Sequence, residues 1–417
     1  MRVLIAGGGV AGSVTAMALQ QAGIESSIFE SHRRNEAEVG SYFTISPNGL
    51  DALDAIGVLD LVKAGGLPTR RNVLWDAGGH RLGAPGLGAP LPDGTVAQTL
   101  KRARLTRLLL DEAIRRGIPV EFGRRLADAQ PEVGGGVTAS FEDGGRATGD
   151  LLVGADGIHS VTRRLIDPVA PSGRFVGLTN FGGITHGASS DVEGEAWHMI
   201  FGRRAFFGCY AAPNGDVIWF VNWPRAEISR DERATTSEAV WKERLIDLFT
   251  DDAGPAIDLI RAGELELAGD NTYDLGHVPV WHRGPMVIVG DAAHAPSPTS
   301  GQGASMAAED GVILAKALRD LPSIPEALDA YEQLRRGRVE KIVAWGARGS
   351  SAKVPGAFGR VTRDLLLRLV LRLFVTERSM AWQFDHRVEW ARRLPAGVTT
   401  SAQPARISET APRTSGR

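Results

Sequence analysis

Three glycine-rich segments of this chain have residue types and spacings that suit a bound dinucleotide. Gly7, Gly9 and Gly12 form the pattern GxGxxG near the start of the chain. A second segment, LLVGADGIHSVTRR, contains Asp156 and Gly157, and a third reads VIVGDAAHAPSPTSGQGASMAAED from residue 287. Glycines at such turns let the backbone approach a pyrophosphate. One such segment indicates a dinucleotide, whereas three in this order suggest FAD held along its length by distant parts of the chain.

The elements around the first segment have the order that this chemistry requires. Apolar residues 3–5 predict a buried strand, residues 11–21 a helix that stops at Gly23, and residues 24–30 a second strand. The unpaired N–H groups at the helix start would receive the phosphate. Glu30 closes the second strand at the spacing of a carboxylate that accepts hydrogen bonds from ribose hydroxyls. A glycine turn without a ligand is the alternative, and it leaves this register unexplained.

Length and composition limit the possible classes of protein. The chain has 417 residues, which favours two joined domains, and a formal net charge of −2, which argues against nucleic acid as a partner. A single cysteine, Cys209, excludes an intramolecular disulfide and predicts a reducing, cytoplasmic location. Residues 3–19 are interpreted as core and not as a signal peptide. The apolar run 365–375 contains Arg368 and Arg372, so we expect a packing helix and no membrane span.

The three segments, in this order, resemble those of single-component, FAD-dependent aromatic monooxygenases with the p-hydroxybenzoate hydroxylase fold. The likeness extends from Arg2 to about Val339, and the chain is similar to the compact members without a thioredoxin-like domain. The resemblance implies that NADPH or NADH reduces FAD and that dioxygen adds at flavin C4a. The hydroperoxide would then give one oxygen atom to an aromatic or polycyclic small molecule. It implies no metal.

The same resemblance implies a fold and a domain organisation. We expect an α/β protein in which a Rossmann-type FAD-binding domain, residues 1–171 and 276–345, is interleaved with a mostly antiparallel sheet. That substrate-binding sheet would comprise residues 172–275, with part of 70–100 as a candidate addition. Residues 346–397 are predicted to form C-terminal helices, and 398–417 to be a disordered tail.

Site residues follow from the resemblance position by position. It places Pro298 beside the flavin ring and gives His294 an orienting or packing role outside catalysis. The predicted FAD contacts, besides the first glycines and Glu30, are Arg102, Asp156, Asp291, Gly301, Gln302, Gly303 and Ala304. A helix that starts at residues 301–304 would aim its positive end at the reduced flavin, which is anionic.

Substrate recognition is predicted to fall to the middle sheet. The candidates are His198, Arg203, Phe207, Tyr210, Trp219 and Asn222, with Tyr42 and Phe43 from the loop after Gly40. Each has an alternative as an ordinary core or surface residue.

The sequence disfavours some other classes of nucleotide-binding protein and leaves others open. A flavin-dependent halogenase is rejected, because Ser13 follows Gly12 and the strand reads WFVNWP. A simple NAD dehydrogenase would leave Asp291 and its surroundings unexplained. An FAD-dependent reductase of an isoprenoid-like substrate and a non-catalytic flavin-binding or small-molecule-binding protein stay open. So do the substrate's identity and the choice between monomer and homodimer.

Overall fold

The computed structural model describes residues 1–34, 41–188, 193–352 and 377–395. Its strands are β1 (Arg2–Ala6), β2 (Glu25–Glu30), β3 (Tyr42–Ile45), β4 (Leu67–Pro68), β5 (Arg71–Asp76), β6 (Arg81–Gly83), β7 (Gln98–Lys101), β8 (Val120–Phe122), β9 (Leu126–Pro131), β10 (Val137–Phe141), β11 (Arg146–Gly149), β12 (Leu151–Gly154), β13 (Arg174–Thr185), β14 (Ala196–Phe201), β15 (Phe206–Ala211), β16 (Val217–Pro224), β17 (Glu264–Asp274), β18 (His282–Arg283) and β19 (Met286–Ile288). Its α-helices are α1 (Val10–Gln21), α2 (Pro47–Ala55), α3 (Leu59–Gly65), α4 (Arg102–Arg115), α5 (Val161–Ile166), α6 (Arg230–Thr235), α7 (Glu238–Asp247), α8 (Ala256–Ala262), α9 (Gly303–Asp320), α10 (Ile324–Ala352) and α11 (Glu377–Phe384).

A mainly parallel sheet brings the three glycine-rich segments to one edge. Its strand order is β18-β19-β12-β1-β2-β8, and only the β18–β19 pair within it is antiparallel. The first glycine turn follows β1, Asp156 follows β12, and Asp291 follows β19. Because these three strands are parallel neighbours, their carboxyl ends lie side by side. The apolar runs are buried on both faces, which is why they do not alternate with polar residues.

A seven-stranded sheet forms the second layer, in the order β17-β13-β16-β15-β14-β5-β6. Its pairs are antiparallel except β14–β5. Helices α7 and α8 cover one face through Trp241, Leu245 and Ile260, each at most 1% exposed. Strands β5 and β6 lie in residues 71–83, so the sheet includes a segment from before residue 100.

A small sheet, β3-β7-β4, joins the two layers. The indole N–H of Trp197 in β14 lies 3.0 Å from the hydroxyls of both Thr44 and Thr99. Tyr210 in β15 donates its hydroxyl to the carbonyl of Pro68 at 2.6 Å. These contacts attach the second layer to all three strands of the small sheet, including β3, which leads into α2.

The predicted fold class is confirmed: an α/β protein with a Rossmann-type sheet, separate antiparallel sheets and C-terminal helices. The apolar run 365–375, for which we expected a packing helix, and the tail at 398–417 lie outside the described residues. Among the helices that are described, none combines the length and apolarity needed to cross a bilayer.

Candidate functional site

The first glycine turn leaves open space at the position predicted to meet a ligand. At Gly7, φ is +106°, and a Cβ atom would lie 2.4 Å from the carbonyl oxygen of Ala155. At Gly12, a Cβ atom would lie 1.9 Å from the carbonyl oxygen of Gly7. A Cβ atom at Gly9 would meet nothing within 4 Å, and no side chain caps α1 there. Gly7 and Gly12 thus serve packing, while Gly9 leaves the helix N-terminus free for a phosphate.

Glu30 lies directly beside this turn. Its carboxylate accepts hydrogen bonds from the backbone N–H of Gly8 at 2.6 Å and of His32 at 2.8 Å. Burial acts to raise the pKa of Glu30, but the N–H donors and the His32 ring outweigh burial and lower it. The ionised carboxylate at the end of β2 is therefore a hydrogen-bond acceptor suited to ribose hydroxyls.

Arg102 and Asp291 are 189 positions apart in the sequence, and the fold brings them together. Arg102 is the first residue of α4, and its guanidinium lies 3.7 Å from the Asp291 carboxylate. The Arg102 side chain is 69% exposed and that of Asp291 35%. Since an exposed pair of this kind contributes less than about 1 kcal/mol, both groups are available to a ligand.

The start of α9 lies next to Asp291. A 3-10 turn, Pro298–Ser300, leads through Gly301, whose φ is +62°, into α9 at Gly303. No side chain caps α9, and no acidic residue lies in its first turn. A Cβ atom at Gly303 would lie 4.0 Å from an Asp291 carboxylate oxygen. Pro298 is exposed, while Gly303 and Ala304 are half-buried, so the uncapped N–H groups can be reached.

Asp156 acts within its own helix. Its carboxylate accepts hydrogen bonds from the Ser160 hydroxyl, the backbone N–H groups of Val161 and Thr162, and the Thr162 hydroxyl, at 2.5 to 3.0 Å. These bonds cap α5. Buried Arg163 then donates to the carbonyl of Ala292 at 3.0 Å, next to Asp291. The described contacts of Asp156 are thus those of a helix cap, whose helix supports the turn that carries Asp291.

A buried ionic cluster beneath α9 was not predicted. Glu309 and Asp310 are fully buried in α9, and Arg335 of α10 lies 2.5 Å from Glu309 and 2.7 Å from Asp310. Arg338 forms two hydrogen bonds to Glu309, at 2.8 and 2.9 Å. Burial alone would raise the pKa of Glu309, but Arg335 and Arg338 lower it, so the carboxylate is ionised. The only sign of this cluster in the sequence is a pair of adjacent acidic residues inside an apolar helix. Their basic partners lie about 30 residues later in the chain.

His294 belongs to the same cluster. It is 2% exposed, and its Nε2 atom lies 2.5 Å from the Asp310 carboxylate. Asp310 also accepts the backbone N–H of Gly290 at 2.9 Å. These contacts fit the orienting role predicted for His294.

The substrate candidates do not share one face of the seven-stranded sheet. His198, Phe207 and Trp219 lie on the side that α7 and α8 cover. There the Trp219 ring stacks with that of Phe207, and its indole N–H donates to the Thr185 hydroxyl at 3.1 Å. Tyr210 and Asn222 lie on the opposite side, which faces the small sheet.

The remaining candidates also separate. Arg203 is in the exposed turn between β14 and β15, where its backbone N–H bonds Asp252. In β3, Tyr42 packs toward Trp197 and Tyr210, whereas Phe43 packs against the core of the parallel sheet. Of the eight candidates, Tyr42, Tyr210 and Asn222 therefore occupy the side that the strand leading to α2 approaches.

These residues fit FAD: open space at Gly9, two uncapped helix N-termini and an exposed pair of opposite charge converge at the ends of three parallel strands. A family model described as FAD binding domain matches residues 1–346. The chain therefore belongs to this family, and its resemblance to FAD-dependent aromatic monooxygenases is confirmed.

Individual relatives agree with this class. An FAD-dependent urate hydroxylase of Klebsiella pneumoniae subsp. pneumoniae is 30% identical over 82% of this chain and 88% of its own. The aurachin C monooxygenase/isomerase of Stigmatella aurantiaca is 30% identical over 89% of this chain and 94% of its own. The crystal structure of Klebsiella pneumoniae HpxO complexed with FAD and uric acid matches with a TM-score of 0.78 and 26% identity, covering 92% of this chain and 96% of that one. FAD is thus the cofactor of this protein.

Proposed function

We propose that this protein is an NADPH- or NADH-dependent monooxygenase that inserts one oxygen atom into a planar aromatic or heteroaromatic small molecule. The observation that carries the proposal is the meeting of Arg102, Asp291 and the uncapped start of α9 beside the first glycine turn. When bound, FAD would supply the redox chemistry: oxidation of the nicotinamide, activation of dioxygen at its C4a position, and insertion of one oxygen atom into the substrate while the other is reduced to water.

The roles of the chain's own residues follow from their positions. The N–H groups at the start of α1 would bind the pyrophosphate and Glu30 the adenosine ribose. Arg102 would contact the phosphates, and Asp291 the ribityl chain. The N-terminus of α9 would stabilise negative charge on the flavin's pyrimidine edge.

The substrate would lie between α9 and the face of the seven-stranded sheet that carries Tyr210 and Asn222. Strand β3 borders this space through Tyr42. On the same face, Trp197 and Phe220 have ring centroids 5.4 Å apart in an edge-to-face arrangement, and an aromatic surface of this kind would suit a flat ring. Hydroxylation of urate by a relative makes purine-like rings the first class to test.

The test is oxygen consumption by the purified yellow protein. NADPH and then NADH are supplied with urate, salicylate-like phenols and larger polycyclic aromatics, and product mass is measured. The expected result is compound-stimulated consumption with a product heavier by one oxygen atom from ¹⁸O₂. Bound FAD without nucleotide oxidation under any condition would instead support a reductase with another donor or a binding protein.

A further inference from the structure

The side-chain amide of Gln302, at the start of α9, is held by two buried partners. Its Oε1 atom accepts a hydrogen bond from the Asn48 amide at 2.9 Å, and its Nε2 atom donates to the Ser46 hydroxyl at 2.9 Å. All three residues are at most 2% exposed. Both ends of this amide are therefore occupied on the side of α2, away from the first turn of α9.

Glu309 determines the direction of these hydrogen bonds. Asn48 Nδ2 also donates to the Glu309 carboxylate at 2.7 Å. An ionised carboxylate can only accept, so the Asn48 amide must turn its N–H₂ group toward Glu309 and Gln302. It keeps this orientation although, within the described residues, its Oδ1 atom has no hydrogen-bond partner. Arg335 and Arg338 keep Glu309 ionised in turn.

Helix α2 has little freedom to shift relative to α9. A Cβ atom on Gly49, the residue after Asn48, would lie 2.6 Å from the Ser305 hydroxyl and 2.7 Å from its Cα atom. The backbone N–H of Ser46 also donates to that hydroxyl at 3.2 Å. The contact is thus tight on both sides of Asn48, so the amide positions are fixed by packing as well as by hydrogen bonds.

These contacts explain why α9 begins without a cap. Gln302 is the N-cap residue, and a free amide oxygen there would be able to accept N–H groups of the first turn. Because Asn48 occupies that oxygen, the N–H groups stay open. We propose that Asn48, oriented by Glu309, is a positioning residue that keeps the start of α9 available to the electronegative pyrimidine edge of FAD. This inference rests on the flavin site proposed above.

The test compares Asn48→Leu with the double variant Asn48→Leu/Gln302→Ala. The single change removes one of the two partners of Gln302 and frees its Oε1 atom to compete for the N–H groups, against the remaining bond from Nε2 to Ser46. The double variant has no amide to compete. We expect Asn48→Leu to weaken FAD binding about tenfold. We also expect it to weaken the preference for the reduced flavin about tenfold, a fall of about 30 mV in the two-electron potential. The double variant should recover most of both losses.

The measurements are FAD titration of the apoprotein by flavin fluorescence and the midpoint potential of the bound flavin, with thermal unfolding of each apoprotein as a check on folding. Gln98→Leu is the matched control, since it removes another buried amide, in β7, whose described hydrogen bond goes to the Val96 carbonyl and not to α9. It should change neither quantity. If Asn48→Leu does not fold, Asn48→Ala removes the same two hydrogen bonds without added bulk and is judged by the same criteria.

Two outcomes would overturn the inference: an unchanged potential in the Asn48 variant, or a double variant as impaired as the single one. Neither readout requires turnover, so both can be taken even if no substrate is oxidised. Failure of the proposed monooxygenase function would appear separately, in the wild-type assay of oxygen consumption.

Discussion

At the scale of single residues, Glu30 combines an observed structural role with a predicted role in binding the adenosine ribose. Its carboxylate holds the Gly8 N–H within the glycine turn and remains available at the end of β2. We expect Glu30→Ala to weaken FAD binding by about 1 to 3 kcal/mol, because a ribose partner is lost and the turn loses its acceptor. Titration of the apoprotein with FAD measures this. Glu25→Ala, at the exposed other end of β2, is the control and should bind FAD normally.

Asp291 is the second residue whose loss should be visible directly. Asp291→Ala removes the carboxylate predicted to hold the ribityl chain and frees Arg102 from its partner. We expect the variant to purify largely colourless, as measured by flavin absorbance relative to protein. Asp258→Ala, an exposed change on α8, should purify as yellow as wild type. A fully yellow Asp291→Ala protein would contradict the role given to this residue.

At the scale of elements, α5 depends on a side chain that precedes it. Asp156→Ala removes the acceptor of four hydrogen bonds at the start of this helix. Loss of such a cap costs about 1 to 2 kcal/mol, and we expect at least that much in unfolding by urea, with or without FAD. Destabilisation seen only in the presence of FAD would instead show that Asp156 acts through the ligand. Asp231→Ala, an exposed change in the first turn of α6, provides the comparison.

The sequence predicts elements well where one feature determines them. The glycine turn, the apolar strand β1 that precedes it and the helix α1 that follows it were all predicted from local patterns. The side of a strand that faces the ligand cannot be predicted from a local pattern. The alternation of side chains defines two faces but does not tell which of them the helices cover. Trp219 and Tyr210 were therefore equivalent in sequence, although they lie on opposite sides of the sheet.

The ionic cluster beneath α9 could not be predicted from the sequence for a related reason. In the sequence, Glu309 and Asp310 are simply two acidic residues in a helix, and the charged residues of α10 have the pattern of a surface helix. Only the packing of α9 on α10 shows that Arg335 and Arg338 face these acids. Ion pairing between two helices is a long-range property, and it cannot be predicted from the spacing of residues within either helix.

At the scale of the whole molecule, the C-terminal residues 380–395 are held by cationic side chains of α9 and α10. Arg338 donates to the carbonyls of Trp382 and Gln383, and Lys316 donates to those of Val388 and Glu389, at 2.6 to 3.0 Å. Since Arg338 also binds Glu309, the ionic cluster beneath the proposed flavin site is continuous with the attachment of this segment. Loosening of this C-terminal segment should therefore perturb the ionic cluster.

His386 in this segment gives the molecule a defined response to acid. Burial lowers its pKa to about 4; the nearby Glu309 carboxylate opposes the shift, and Arg338, Arg335 and Arg387 add to it. The unfolded chain takes up this proton near pH 6.5, whereas the folded chain does so only near pH 4. Between these values the unfolded state binds more protons, so stability falls as the pH falls, by up to about 3 kcal/mol in total.

We therefore expect the urea midpoint of the FAD-saturated protein to fall from pH 6.5 toward pH 4, and to fall less steeply in His386→Gln. Burial also lowers the pKa of His198, so His198→Gln serves as the second comparison and should remove its own part of the slope. Glu309 and Asp310 have lowered pKa values, so their stabilising effect is lost only below about pH 4.5. Between pH 6.5 and 5 the histidines therefore account for the fall in stability, whereas protonation of Asp51 and Asp252, whose pKa values burial raises, opposes it. Equal slopes for wild type and His386→Gln there would mean that His386 is protonated without cost, and that the C-terminal segment is less firmly packed on the ionic cluster than its contacts indicate.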